Sequence, residues 1–387
     1  MEQTEQPTTQ IPAAPEQTDT ERRLRRRVRR LWLALGATGV LAVLCILAVA
    51  ATLLYWHLYL LSPASGTFQR GPFLTRLDET SATLAWTLAD PGAVELRATG
   101  PGEQAVTATA GRFTGLQPGT RYAWTAAVDG KTAASGTFRT APPDLTSPVR
   151  FAVIGDYGSG NEHEWAVARV LTAQQPDFVL SAGDNSYLVA YSGLLDRNIF
   201  KPLHDLMAEA PLWATEGEHD LFLSSGSTVT DALHLPGPQG RWAIRYGPVQ
   251  IVALGLQADA AGQAFAAKAL AEPGPSVRLV LTHRPIQPGN PILPFLRRDH
   301  VAAIFAGHLH RYERRIVGGL PEFVVGVSGM GPGRQAFTQP SPDALISIEN
   351  FGGLVVDLQG RHAVTTFLDE RGRVLDRAGF DLPSTTG

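Results

Sequence analysis

Five short runs in this sequence combine carboxylate, imidazole and phenol groups with glycine, and together they could hold metal ions. The first is Gly155-Asp156-Tyr157-Gly158, whose glycines let the backbone turn sharply and present Asp156 at a strand end. The second, Gly183-Asp184-Asn185-Ser186-Tyr187, adds a phenol three residues beyond a second carboxylate. A phenol has a pKa of about 10, so at neutral pH it readily gives up its proton only to a strong Lewis acid such as ferric iron. The third run is Gly217-Glu218-His219-Asp220 and the fourth is His283-Arg284-Pro285. The fifth, Gly307-His308-Leu309-His310-Arg311-Tyr312-Glu313-Arg314, sets two imidazoles two residues apart, a common metal-binding spacing. Singly, each has a plain structural reading: an aspartate after a strand is a turn former or cap, Tyr187 a loop aromatic, a lone histidine a packing residue. Five in this order, each at the end of an apolar strand, point to one metal site.

The elements that must position these groups are short apolar strands at 150–154, 178–182, 212–215, 278–282 and 302–306, separated by helical stretches. That is an α/β pattern, and ligand sites gather at the strand ends of such sheets. Gly160-Asn161-Glu162-His163 looks like a scrambled third run but reads as the start of a helix. Before this unit, residues 66–142 alternate in polarity and turn often. In 120–128 (TRYAWTAAV), Tyr122, Trp124, Ala126 and Val128 share one face after a Pro118-Gly119 turn. This is an antiparallel β unit to which no chemistry is assigned. A stiff Pro142-Pro143 linker leads from it to the metal-bearing unit, taken as 148–384.

Apolar residues at 44% and charged residues at 18% suit a chain with a sizeable buried core. Net charge is −3, with no basic surface for nucleic acid, and the single cysteine, Cys45, excludes a disulfide framework. Residues 1–30 read as a disordered tail ending in a basic arm of seven arginines, from Arg22 to Arg30. The stretch 31–61 lacks formal charge and is long enough for a transmembrane helix, with Trp32 at one end and Tyr55, Trp56 and Tyr59 at the other as interfacial aromatics. Arginines before the span put the N-terminus in the cytoplasm and the rest of a single-pass cell-membrane protein outside it. A cleaved signal peptide is the competing reading.

The order GDxG, GDxxY, G-x-H-[DE], His-Arg-Pro and GHxHxYxR is similar to that of the purple acid phosphatases among the calcineurin-like metallophosphoesterases, over Val149 to Leu368. The resemblance implies a four-layer double β-sandwich flanked by helices, with Fe(3+) plus a divalent metal (Mn, Zn or Fe). It gives the ferric site Asp156, Tyr187 and His310, the divalent site Glu218, His283 and His308, and makes Asp184 the bridge. His219 would contact the phosphate ester substrate or assist the leaving group. Leu116 to Tyr122 resembles the tyrosine corner of fibronectin type III sandwiches, which implies such a fold for 66–142.

Two positions depart from that pattern. Glu218 stands where the family has Asn, adding a negative charge that favours harder cations and weakens attraction for a phosphate dianion. The loop after His283 reads Ile286-Gln287-Pro288-Gly289-Asn290-Pro291 and lacks a second histidine; His300 is the next along the chain. Besides a hydrolase of phosphomonoesters or diesters, these departures allow a catalytically degenerate surface binding or sensing module. Oligomeric state is not legible.

Overall fold

The computed structural model describes residues 19–60, 67–103, 105–187, 190, 192–222, 227–237, 240–331 and 339–383. Contacts divide the chain into Met1–Ser62 and Pro63–Gly387. In the first unit a helix spans Asp19–Leu60, and its described side chains are exposed. It is long and apolar enough to cross a membrane by length and composition. The helix takes in the arginine arm that the sequence reading left in the tail. Arginine is a good helix former, and extending an existing helix is far easier than nucleating one. Residues 1–18 of the expected disordered tail, and the side chains of Tyr55, Trp56 and Tyr59, lie outside the described residues.

The second unit begins with seven antiparallel strands in two sheets. One sheet is ordered Phe68–Leu77, Ser81–Leu88, Arg112–Thr114; the other Ala105–Thr107, Val94–Thr99, Arg121–Val128, Lys131–Arg139. The alternation read in 120–128 is realised as far as Ala126: Tyr122, Trp124 and Ala126 are buried while Arg121, Ala123 and Thr125 are exposed, and Ala127 and Val128 are both half-buried. Tyr122, Trp124 and Ala126 share a core with Leu74, Leu84, Leu96 and Phe113 from both sheets. The Tyr122 hydroxyl accepts a hydrogen bond from Gln117 N at 2.9 Å, five residues upstream.

Two larger mixed sheets follow. The six-stranded sheet runs Leu212–Ala214, Phe178–Ser181, Val149–Ile154, Gly352–Gln359, His362–Asp369, Val374–Asp381, the first three parallel. The seven-stranded sheet runs Arg241–Tyr246, Val249–Leu254, Val277–Leu281, Val301–Ala306, Leu320–Val325, Tyr312–Val317, Ala344–Ile348, with four parallel strands in its middle. Strand periodicity builds the layers. Val149, Phe151 and Val153 enter a core shared with Ile251, Leu279 and Phe305 of the other sheet. The alternate residues Ala152 and Ile154 pack with Val167, Ala168 and Leu171 of helix Glu162–Thr172. On the far side Val252, Val280 and Ile304 pack with helices Ala260–Leu270 and Ile292–Arg298. Two stacked sheets with helices outside each make four layers.

Candidate metal centre

All the sequence-predicted site residues meet where the C-terminal ends of the parallel strands converge, and both large sheets contribute. Asp156, Asp184 and Glu218 follow strands Val149–Ile154, Phe178–Ser181 and Leu212–Ala214. His283 follows Val277–Leu281, while His308 and His310 follow Val301–Ala306. The tips are stitched together through backbone: Asp156 N donates to Gly183 O at 3.0 Å, Tyr187 N to Gly158 O at 2.7 Å and Gly307 N to His283 O at 2.8 Å. Asp156, Asp184 and His308 all sit at positive φ, between 52° and 69°, a strained backbone for non-glycine residues. Such strain persists at sites whose surroundings over-determine them, as the cross-links do here. Close approach also explains two glycines: a Cβ on Gly217 would lie 2.2 Å from Asp184 Oδ1, and one on Gly307 2.5 Å from Asp156 Oδ2.

The side chains form two overlapping clusters, Glu218-His283-His308 and Asp156-Asp184-His283. Nε2 of His283 lies 2.5 Å from Glu218 Oε2 and 3.7 Å from Asp184 Oδ1. His283 Nδ1 donates to Ala182 O at 2.7 Å, which fixes its tautomer and aims Nε2 into the site. His308 Nδ1 is 3.2 Å from Glu218 Oε1. On the other side the Tyr187 hydroxyl lies 3.0 Å from Asp184 Oδ2, 3.2 Å from Asp156 Oδ1 and 3.3 Å from His310 Nε2. His219 donates its backbone N–H to Asp184 Oδ1 at 2.9 Å, and its half-buried ring packs on Tyr187 at 4.3 Å between centroids.

The donor set fits cations. Buried Nε2 of His283 and Oε2 of Glu218 approach each other closely, yet neither has a hydrogen-bond partner, as expected of two ligands aimed at one point. The electrostatics agree. Burial disfavours the His283 imidazolium, but the carboxylates of Asp184, Glu218 and Asp156 outweigh it and raise its pKa to about 10. Burial raises Glu218, but the His283 and His308 imidazoles dominate and hold it well below the usual carboxylate range. Burial and the Asp156 and Asp184 carboxylates push the Tyr187 phenol far up. The carboxylates thus favour positive charge at His283, as they would favour a cation.

Residues 149–312 match the calcineurin-like phosphoesterase family. That stretch holds every candidate ligand from Asp156 to His310, and the fifth run extends two residues beyond it. By fold, the chain is similar to a purple acid phosphatase from yellow lupin (Lupinus luteus) seeds, at 14% identity and a TM-score of 0.66, over 81% of this chain and 75% of that one. It is also similar to PhoD, at 10% identity and a TM-score of 0.60, over 84% of this chain and 92% of that one. No curated protein matches the sequence. The chain thus shares the fold of these two proteins, and its candidate ligands form two overlapping clusters at the strand tips.

Two supports went unnoticed in the sequence. Asn185 and Asp220 lock the second and third runs together: Asp220 accepts from Asn185 N at 3.0 Å, Asn185 Nδ2 at 2.8 Å and Gly217 N at 2.9 Å. Arg284 donates through Nε to Glu218 Oε1 at 2.5 Å. Both lay inside the quoted runs, but nothing in their spacing declares their partners. His300 precedes strand Val301–Ala306 while His308 follows it, so the strand's length separates His300 from the site. The scrambled run at 160–163 is a helix start, with Asn161 as the N-cap accepting from Glu164 N.

Proposed function

We propose that this chain is a membrane-anchored, extracytoplasmic phosphoester hydrolase with a two-metal centre of purple acid phosphatase type. The observation that carries the reading is the convergence of Asp156, Asp184, Tyr187, Glu218, His283, His308 and His310 from two sheets, with unpartnered ligand atoms facing one another. Asp156, Tyr187 and His310 would hold Fe(3+). Glu218, His283 and His308 would hold Mn, Zn or Fe, His283 being assigned to this side because it lies nearer Glu218 than Asp184. Asp184 stands between the two groups and would bridge them. Cations held there would supply electrostatic stabilisation to the phosphoryl oxygens and lower the pKa of water. His219, half-buried with its ring on Tyr187, would protonate the leaving oxygen.

Residues 66–142 read as a fibronectin type III-like sandwich, which the three-plus-four strand arrangement and the Tyr122 hydroxyl bond to Gln117 support. Helix Asp19–Leu60 reads as a single-pass anchor with its arginines cytoplasmic. The deciding experiment is hydrolysis of an aryl phosphate by the full chain in detergent, loaded with iron plus manganese or zinc. Asp184→Ala lowers turnover by at least about 10²-fold, the scale on which one electrostatic stabiliser acts. Metal-loaded wild type without turnover favours the degenerate binding-module reading, for which Glu218 and the histidine-free loop after His283 speak.

A further inference from the structure

Each oxygen of Glu218 lies against a side-chain nitrogen, and Oε1 accepts a hydrogen bond. Its Oε2 meets His283 Nε2, while its Oε1 takes Arg284 Nε at 2.5 Å and lies 3.2 Å from His308 Nδ1. Arg284 is the residue after His283, so one loop delivers both a candidate ligand and a fixed positive charge. Its backbone is tied down by Arg284 N donating to Leu256 O at 2.8 Å, and its Nη1 reaches Gln257 Oε1 at 3.3 Å. The side chain is 43% exposed against 29% for Glu218, so the pair is reached by solvent, Arg284 more than Glu218. A carboxylate in a phosphoesterase site repels the incoming anion, and a guanidinium on one of its oxygens cancels that field.

Resting on the two-metal reading above, we propose that Glu218 and Arg284 act as one neutral unit, in which Arg284 cancels the charge that Glu218 adds and so preserves affinity for an anionic phosphoryl group. Arg284 is a positioning residue. It acts through Glu218 and not on the reacting atoms, and its contribution is charge.

The test measures two affinities on the full chain in detergent: Mn(2+) for the metal-free protein by calorimetry, and inorganic phosphate for the Mn-saturated protein. Arg284→Gln weakens phosphate about tenfold and tightens Mn(2+) about tenfold, the size expected of one partly screened neighbouring charge. Glu218→Gln shifts phosphate the opposite way, and Glu218→Gln/Arg284→Gln returns phosphate to within about threefold of wild type. Arg284→Lys keeps the charge and stays within about threefold of wild type in both measurements. A loss of fold would weaken both ligands together and cannot imitate tighter Mn(2+). The proposal is overturned if the double variant binds phosphate as weakly as Arg284→Gln alone, which makes Arg284 a direct phosphate ligand. It is also overturned if Arg284→Gln leaves Mn(2+) unchanged or looser. A wild-type protein that binds no Mn(2+) overturns the two-metal reading itself, whereas one that binds Mn(2+) and phosphate with an uncompensated double variant overturns only the neutral pair.

Discussion

Tyr187 shows how a single residue acquires meaning from its neighbours. In sequence it is a phenol three positions after Asp184; in the structure its hydroxyl is shared among Asp184, Asp156 and His310. Burial and two carboxylates hold its proton firmly, so only a strong Lewis acid at that point can displace it. If ferric iron binds there, the protein shows a broad visible charge-transfer band that Tyr187→Phe abolishes while iron content is retained. An iron-loaded wild type without colour would contradict the tyrosinate assignment. The residue types and order of the candidate ligands are legible, because metal chemistry restricts donors to a few side chains. Arg284 is not, because a surface arginine beside a ligand has no spacing rule that names its partner.

At the scale of elements, the strands carrying the ligands were read to within a residue or so at their ends, since continuous apolar runs such as 149–154 and 301–306 admit few alternatives. What holds the loop after His283 was hidden. Glu322, on strand Leu320–Val325, accepts from Ile286 N at 2.8 Å, and Arg315, on Tyr312–Val317, donates to Ile286 O at 2.6 Å. The two side chains also pair at 2.5 Å, forming a buried clamp on the loop that bears His283 and Arg284. Burial raises Glu322 to about 7, with Arg315 opposing. The folded state therefore keeps a proton that the unfolded chain releases at about 4.3. Its contribution to stability is complete below about pH 4.3 and declines as pH rises to about 7. Urea titrations across that window should show the stability of wild type relative to Glu322→Gln falling with pH; a pH-independent difference refutes the clamp's titration.

At the scale of the molecule, the seven-stranded β unit and the two larger sheets are joined by buried and partly buried side-chain bonds. Trp124 Nε1 donates to Ala208 O at 2.9 Å, Trp213 Nε1 to Thr75 O at 3.1 Å and the Tyr246 hydroxyl to Arg139 O at 2.7 Å. Phe73 packs on Phe200 at 5.2 Å across the same junction. Contacts group Pro63–Gly387 as one unit. Trp124→Ala should destabilise that unit by about 3–5 kcal/mol, and near- and far-ultraviolet melting curves should shift together. Separate transitions would show two independent domains. By itself the sequence determined the donor types, their order along the chain, the strands that end in them and the apolar N-terminal helix, because each follows from local composition and period. Only the tertiary structure decided which donors share an atom-to-atom neighbourhood, that Arg284 lies on Glu218 and that His300 lies across a strand from the site. Those facts depend on sheet order and strand register, which bring together residues as far apart as Glu218 and Arg284, 66 positions, or Asp156 and His308, 152 positions, and leave no trace in local spacing.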